Sequence, residues 1–265
     1  MLDAIVIYLL LGCAVGLSAG LLGVGGGLII VPVLVVAFQM QDMQSSTIMH
    51  LALGTSLASI VMTAISAVLA HQRRGAVVWH IVYGLAGGML LGSLLGAVIA
   101  DQLSSSVLQR VFALVEFVIA IYMMAGAPAV RRAMTVAIQR LELLLAGAGI
   151  GAVSALLGIG GGTLTVPYLC WRGRDIHQAV AVSAACGLPI ALSGALGYLL
   201  TGLDEIHLPP LATGFIYWPA VGGIAATSLL FAPLGARLAH ALPVTQLKRV
   251  FGSVLLLIAV SMFVI

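Results

Sequence analysis

Apolar residues dominate the chain and gather in ten segments, which short polar or basic stretches separate. The segments cover residues 4–22, 24–38, 48–70, 77–100, 107–126, 135–157, 160–171, 178–200, 211–236 and 245–264. Eight of them have about the 20 residues that a helix needs to cross a hydrocarbon core of about 30 Å. The pattern therefore predicts an all-α polytopic membrane protein with about eight full transmembrane helices.

The remaining two segments, 24–38 and 160–171, are shorter. A helix of about 15 residues rises only about 22 Å, which is less than a full crossing. Each short segment follows a glycine cluster and contains a proline, Pro32 or Pro167. Irregular backbone at membrane depth is tolerated only where it is buried in protein or lines a cavity. We therefore expect two glycine-led re-entrant or broken helices.

The two halves of the chain repeat each other. The phrase "GVGGGLIIVP" (23–32) returns as "GIGGGTLTVP" (158–167) with six of ten positions identical, and residues 95–112 match residues 234–251 at nine of eighteen. Internal similarity of this kind indicates a repeat architecture. The sequence predicts two membrane repeats, 1–130 and 131–265, within a single integral membrane domain.

Composition supports a membrane protein, since 62% of the residues are hydrophobic and only 7% are charged. The net charge of +3 comes from basic residues in short loops between apolar segments, where they orient a membrane protein and do not indicate nucleic-acid binding. If each short segment returns the chain to the side it came from, ten of the eleven basic residues share one side. These ten are Arg73, Arg74, Arg131, Arg132, Arg140, Arg172, Arg174, Arg237, Lys248 and Arg249.

If the short segments cross the membrane instead, the basic residues divide five against six. The positive-inside rule favours the first arrangement. It makes the repeats inverted relative to one another, with the basic loops in the cytoplasm and both termini outside. Many secondary transporters have this architecture, and their substrate sites lie near the midplane where broken helices meet.

Both glycine phrases can bind an anion through the backbone. The first N–H groups of a helix lack intrahelical partners and carry positive partial charge, and glycine lets a ligand approach them closely. The alternative is close helix packing, which also favours small residues in membranes. The residues assigned to the two anion cradles are Gly25, Gly26, Gly27, Gly160, Gly161, Gly162 and Thr163.

The segment 48–70 carries hydroxyl side chains at Thr55, Ser56, Ser59, Thr63 and Ser66. They form either a polar stripe along a water-filled path or a series of bonds to carbonyls one turn earlier. We assign Thr55 and Ser56 to substrate binding because they follow Gly54. The corresponding stretch of the second repeat has Gly187 and Pro189, which we expect to break the helix and free backbone groups for the substrate.

Glu116 is the only acid well inside an apolar segment. A carboxyl group in lipid is a functional candidate by default, here as a carrier of a coupling proton. A neutral, hydrogen-bonded structural carboxyl is the alternative, and the repeat counterpart of Glu116 is the apolar Leu255. The stretch "GGMLLGSLLGA" (87–97) is typical of helix packing, and Glu142 is assigned no role.

The sequence indicates no metal, no cofactor and no enzyme activity. His50, His71 and His80 lack metal-ligand spacing, and the three cysteines are isolated. The chain has no paired acids and no His–Cys constellation. The remaining function classes are a secondary transporter of small anions, a passive anion channel and, less favoured, a membrane-embedded assembly partner.

The paired "GxGGG…VP" phrases, "GTSL" with the basic "HQRRG" loop, and "CGLPIALSGALGY" together resemble the sulfite exporter TauE/SafE family over nearly the whole chain. The resemblance implies a carrier in the bacterial inner membrane that moves small anions, often sulfur-containing ones such as sulfite or sulfonates. Its partners would be the anionic substrate, the lipid bilayer and a coupling proton. The residues that match the family pattern are Gly25, Gly26, Gly27, Thr55, Ser56, Gly160, Gly161, Gly162, Gly187 and Pro189.

Overall fold

The computed structural model of the protein describes residues 2–22, 26–73, 75–124, 139–238 and 244–264, so Gly25 lies outside the described residues. In chain order its elements are α1 (Leu2–Leu22), α2 (Gly27–Gln39), α3 (Ile48–Gln72), α4 (Trp79–Asp101), α5 (Ser105–Met124), α6 (Arg140–Leu156), α7 (Gly162–Trp171), α8 (Ile176–Thr201), β1 (Ala212–Thr213), β2 (Ile216–Tyr217), α9 (Trp218–Leu238) and α10 (Val244–Val264). The ten helices correspond one by one to the ten predicted apolar segments.

Length and hydropathy support a multi-pass membrane protein. Within the described residues, α3, α4, α5, α8 and α9 are long and apolar enough to cross a membrane. The short helices α2 and α7 have only 13 and 10 residues, as the sequence predicted. The class of helical membrane protein is thus supported, whereas the count of eight full spans stays a prediction.

Each short helix returns the chain to the end of the bundle where the preceding helix began. The Gln41 side-chain amide, just after α2, donates a 2.8 Å hydrogen bond to the hydroxyl of Tyr8, near the start of α1. The Arg172 guanidinium, just after α7, lies 2.8 Å from the carboxylate of Glu142, at the start of α6. The pairs α1–α2 and α6–α7 therefore form two helical hairpins, as the charge pattern requires.

The helices of the two predicted repeats pack against each other. α3 and its repeat counterpart α8 run antiparallel, because Gly54 lies against Tyr198 while Gly187 faces Ala64. α5 and its counterpart α10 also run antiparallel: the Gln109 amide donates a hydrogen bond to the carbonyl oxygen of Met262, at 2.9 Å.

Most of the extensive helix contacts recur when each helix is exchanged for its repeat counterpart. α4 packs along α6 and α8, and the counterpart α9 packs along α1 and α3. In the same way α2 contacts α3, and α7 contacts α8. These exchanges are what a two-fold relation between the halves would produce.

The glycine stretch on α4 forms a close contact with α6, which confirms the packing interpretation. A Cβ atom at Gly88 or Gly92 would overlap the backbone of Leu144 or Ala148. Small residues allow the two helix backbones to approach, and dispersion contacts then stabilise the pair. The four-residue spacing puts these glycines on one face of α4.

The prediction that Gly187 and Pro189 break their helix is wrong. α8 continues without interruption from Ile176 to Thr201, with Pro189 inside it. Proline removes one backbone donor from the helix, and membrane helices tolerate this loss where neighbouring helices and local adjustment satisfy the freed carbonyl.

The predicted segment 211–236 is also not helical throughout. Its first part forms the antiparallel hairpin β1–β2, with Ala212 opposite Tyr217, and α9 begins only at Trp218. Gly214, in the turn, has a φ of 52°, which glycine adopts without steric strain. The apolar content of this segment masked a hairpin, because hydropathy alone does not distinguish a buried strand from a helix.

Candidate functional site

A cavity lies at the N-terminus of α7, between this helix and α1, α3 and α8. Its volume in this conformation is about 20 Å³, which is room for about one water molecule. It is lined by Ala19, Ile60, Thr63, Ala64, Ala67, Gly160, Gly161, Gly162, Ser183, Ala184 and Gly187. The structure thus brings Gly160, Gly161 and Gly162 of the second glycine phrase close to Gly187, and their role in binding a substrate stays a prediction.

At the beginning of α7 the cavity is lined by glycine residues, which have no side chain. Gly161 is the N-cap residue and Gly162 is the first residue of the helix. The N–H groups of a first turn have no intrahelical partner, and the helix dipole gives them positive partial charge. A Cβ atom at Gly161 would lie 2.8 Å from Cδ1 of Ile190, so glycine allows this end of α7 to pack closely against α8.

Gly187 contributes empty space to the cavity. The only atom within 4 Å of a Cβ built at Gly187 is Cβ of Ala64, at 3.8 Å. A methyl group would therefore fit there without displacing a neighbour. Gly187 meets the cavity from an intact helix, and its helical neighbour Pro189 is not among the lining residues.

Two hydroxyl side chains line the cavity, and they differ in their hydrogen bonds. The Thr63 hydroxyl donates to the carbonyl oxygen of Ile60, one turn earlier, at 3.0 Å. The Ser183 hydroxyl is fully buried and has no hydrogen-bond partner among the described residues. Ser183 was missed by the sequence analysis, although its position one turn before Gly187 places it on the same helix face.

Thr55 and Ser56 lie outside the cavity lining and hold other parts of the fold in place. The Thr55 hydroxyl accepts a 2.9 Å hydrogen bond from the backbone N–H of Tyr217, in β2. The Ser56 hydroxyl donates a 2.7 Å hydrogen bond to the carbonyl oxygen of Gly158, at the tip of the α6–α7 hairpin. In this conformation both side chains position elements around the cavity.

Other hydroxyls of the α3 stripe follow the second interpretation considered for them. The Ser59 hydroxyl donates to the carbonyl oxygen of Thr55 at 2.8 Å, and that of Thr63 donates to Ile60. Such bonds satisfy a hydroxyl within its own helix. A continuous polar path along α3 is not required to explain them.

The first glycine phrase has different surroundings from the second. Gly26 is the N-cap of α2 with a φ of 76°, a conformation that glycine adopts readily. A Cβ atom at Gly27 would lie 2.6 Å from both the carbonyl oxygen of Gly158 and Cα of Ile159. The N-terminus of α2 is therefore packed against the tip of the other hairpin, and Gly26 and Gly27 do not line the cavity.

Two threonines of the second phrase lie on α7. The Oγ1 atoms of Thr163 and Thr165 are buried and have no hydrogen-bond partner among the described residues. Thr165 Oγ1 would lie 3.4 Å from a Cβ atom at Gly161. Neither threonine is among the residues that line the cavity.

Charged groups lie away from the cavity lining. Glu116, on α5, is 1% exposed, and neither carboxylate oxygen has a partner among the described residues. Glu142, to which the sequence gave no role, pairs with Arg172 and accepts a 3.1 Å hydrogen bond from the Tyr168 hydroxyl. A search of the described part of the chain finds no group of three or more residues that could hold a metal ion.

The apolar helices and the two short helical hairpins define a multi-pass membrane protein. Residues 8–262 match the family described as sulfite exporter TauE/SafE. The chain therefore belongs to the sulfite exporter TauE/SafE family, a family of membrane transporters, and the resemblance noted in its motifs is confirmed.

Similar proteins are named as transporters. A Haemophilus influenzae protein named "Probable membrane transporter protein" is 36% identical over 263 residues, covering 99% of each chain. A Xylella fastidiosa protein of the same name is 29% identical, covering 96% of this chain and 92% of its own length. A Methanocaldococcus jannaschii protein, also named a probable membrane transporter, is 24% identical over 94% of this chain and 91% of its own. No solved structure gives a significant match.

Proposed function

We propose that the protein is a secondary transporter of small anions, sulfur-containing ones such as sulfite or sulfonates, and that it works by alternating access. The observation that carries this proposal is the cavity at the N-terminus of α7, where Gly160, Gly161 and Gly162 meet Gly187. The chemical class of the substrate follows from the backbone N–H groups of the helix end, and its sulfur content from the family.

An anion fits this cavity better than a cation or a neutral solute. The start of α7 carries positive partial charge, and no acidic or basic side chain is among the described residues that line the cavity. Partial charges bind an anion less tightly than a buried arginine would. Reversible binding of this kind suits a carrier, which must release its substrate on the other side.

The shape of the cavity supports alternating access. Its lining extends from Gly187 towards Ala67 and Ser183, the parts of α3 and α8 nearer Arg73 and Arg172. At the opposite end the ring of Tyr217 packs edge-on against those of Tyr8 and Phe38, with centroid distances of 6.4 and 5.6 Å. These aromatic contacts close this end, whereas at the other end the lining reaches the half-buried Ala67 and so comes nearer the surface, as in one state of a transport cycle.

This closure also favours a carrier over a passive anion channel, which needs a continuous path in its open state. The antiparallel arrangement of α3 with α8 and of α5 with α10 supports two inverted repeats, 1–130 and 131–265. If each repeat took up the conformation that the other repeat now has, the same site would open at the other end.

The proposed location is the bacterial inner membrane, with basic loops in the cytoplasm and both termini outside. The two helical hairpins support this orientation, because each returns the chain to the side it came from. Arg73 and Arg172 then lie at the same end of the bundle, in agreement with the positive-inside rule. In this orientation the cavity extends towards the cytoplasm.

Glu116 is the proposed carrier of a coupling proton. It is a buried carboxyl without a hydrogen-bond partner among the described residues, and it lies within an apolar span. Intramembrane carboxyls in transporters commonly form proton relays. A neutral structural carboxyl is the competing role.

Filling the cavity tests the proposed function. Gly187→Ala adds a methyl group where there is room for it, and Gly149→Ala is the matched control, because a Cβ atom at Gly149 likewise displaces no neighbour. The assay is uptake into proteoliposomes and thermal-shift binding with sulfite, sulfate, thiosulfate, taurine, sulfoacetate and acetate. A ligand that binds the folded state raises its melting temperature.

We expect Gly187→Ala to lower uptake and to weaken the thermal shift, with Gly149→Ala behaving as the unmodified protein. Gly161→Val, which obstructs the N-terminus of α7, should abolish both signals while the protein still inserts and folds. The proposal is wrong if no anion binds, or if both cavity variants transport normally. Flux that does not saturate with concentration would instead indicate a channel.

A further inference from the structure

We propose that the cavity selects singly charged oxyanions over doubly charged ones, and that the Ser183 hydroxyl donates a hydrogen bond to the bound anion. This inference rests on the proposed anion transport and narrows its substrate class. It has two independent supports, the hydrogen-bonding state of Ser183 and the charge of the cavity lining.

Ser183 is a buried donor without a hydrogen-bond partner among the described residues. Its exposed fraction is 0%, and its hydroxyl makes no hydrogen bond with any described residue. A buried polar group in this state destabilises the fold unless a ligand or water satisfies it. Since Ser183 lines the cavity, a bound oxyanion can supply the missing acceptor.

The other hydroxyl of the lining cannot replace Ser183. Thr63 donates its only hydroxyl proton to the carbonyl oxygen of Ile60, at 3.0 Å, so it has only lone pairs left for a ligand. Lone pairs repel an anion. Ser183 is therefore the side-chain donor that complements the N–H groups of Gly161 and Gly162, across the contact between α8 and α7.

The charge of the lining limits the charge of the anion. A helix N-terminus supplies about half an elementary charge, and the described lining residues include no lysine, arginine or histidine. The free energy lost on dehydrating an ion rises with the square of its charge, so a dianion loses about four times as much as a monoanion of the same size. Attraction to the helix end only doubles, which leaves the dianion disfavoured.

The test compares two tetrahedral anions that differ in charge, methanesulfonate and sulfate. Binding to the purified full-length protein in detergent is measured by calorimetric titration at constant ionic strength. Ser183→Ala removes the proposed donor. Ser93→Ala is the matched control, because Ser93 is equally buried and equally without a partner among the described residues, and it does not line the cavity.

We expect methanesulfonate to bind at least about tenfold more tightly than sulfate. Ser183→Ala should weaken methanesulfonate binding by about ten- to a hundredfold, the effect of losing a hydrogen bond to a charged group, while Ser93→Ala changes it less than about twofold. Melting of the ligand-free Ser183→Ala protein should not fall below that of Ser93→Ala, which separates lost binding from lost folding.

The inference is overturned if sulfate binds as tightly as methanesulfonate, or if Ser183→Ala weakens binding no more than Ser93→Ala. Either result would leave the proposed anion transport standing, provided that Gly161→Val still abolishes binding. If neither anion binds and the wider anion panel also shows no shift, the proposed function itself fails, and this inference fails with it.

Discussion

The hydroxyl of Ser56 donates a 2.7 Å hydrogen bond to the backbone carbonyl of Gly158, 102 residues further along the chain. This bond joins α3 of the first predicted repeat to the tip of the α6–α7 hairpin. The tip also packs against Gly27, at the start of α2. Both contacts hold the turn that leads into Gly160–Gly162, so they determine where the N-terminus of α7 faces the cavity.

The first prediction concerns this bond. Ser56→Ala leaves the Gly158 carbonyl without its side-chain donor, and we expect the free energy of unfolding to fall by about 1–3 kcal/mol. Anion binding at the cavity should weaken as the hairpin tip loosens. Thermal unfolding in detergent and titration with the best anion of the panel measure the two effects.

Ser59→Ala is the control for Ser56→Ala, because the Ser59 hydroxyl bonds only to the Thr55 carbonyl within its own helix. It should change stability by less than about 0.5 kcal/mol and leave anion binding intact. Equal effects of the two substitutions on binding would contradict the positioning role of Ser56.

The second prediction concerns the contact between α4 and α6. A Cβ atom at Gly92 would overlap the backbone of Ala148, which cannot move aside without shifting its helix. Gly92→Ala should therefore lower the free energy of unfolding by about 1–3 kcal/mol. The melting temperature should fall accordingly. At Gly87, on the same helix, the nearest atom is Cδ1 of Leu144 at 3.4 Å. Gly87→Ala should be nearly neutral, and a loss equal to that of Gly92→Ala would refute the close-packing role.

The third prediction concerns the ion pair between Glu142 and Arg172. The two side chains are 37% and 23% exposed, so solvent screens much of their attraction. A double-mutant cycle with Glu142→Gln and Arg172→Met should give a coupling energy of up to about 1 kcal/mol. The coupling should shrink as salt is raised from low to physiological concentration. A large coupling that does not respond to salt would mean that the pair is more deeply buried in the working protein.

The fourth prediction concerns Glu116. Glu116→Gln keeps the shape of the side chain and removes its capacity to carry a proton. If Glu116 couples transport to a proton gradient, this variant should still bind the anion but lose accumulation driven by an imposed pH difference across proteoliposomes. Glu142→Gln, an amide substitution in the first turn of α6 beside Arg172, should retain that accumulation. Unchanged accumulation in Glu116→Gln would assign the carboxyl a structural role.

Most helices could be predicted because their signals are local. The ten apolar segments agree with the ten helices to within a few residues, apart from the β1–β2 hairpin ahead of Trp218. Hydropathy showed that residues 211–217 are largely apolar, but it carries no information about their backbone conformation. The prediction that Pro189 breaks its helix was wrong for a related reason. Whether a proline interrupts a helix depends on the helices packed around it, and the sequence of one segment does not specify them.

Side-chain roles were harder to predict than helices. Thr55 and Ser56 carry hydroxyls that could bind a substrate, yet both are hydrogen-bonded to backbone groups more than 100 residues away. Ser56 donates to the carbonyl oxygen of Gly158, and Thr55 accepts from the N–H group of Tyr217. Ser183, whose hydroxyl faces the cavity without a partner, resembles any serine of an apolar helix when only its neighbours in sequence are considered.

The sequence by itself determined the membrane class, the ten apolar segments, the family and the two glycine phrases, because each is encoded by adjacent residues. Only the tertiary structure decided that the two phrases differ. Gly27 is covered by Gly158 and Ile159, whereas Gly160–Gly162 border open space. Whether a helix N-terminus is free to bind an anion depends on which atoms of distant segments occupy the volume in front of it, and two nearly identical local sequences carry no information about that volume.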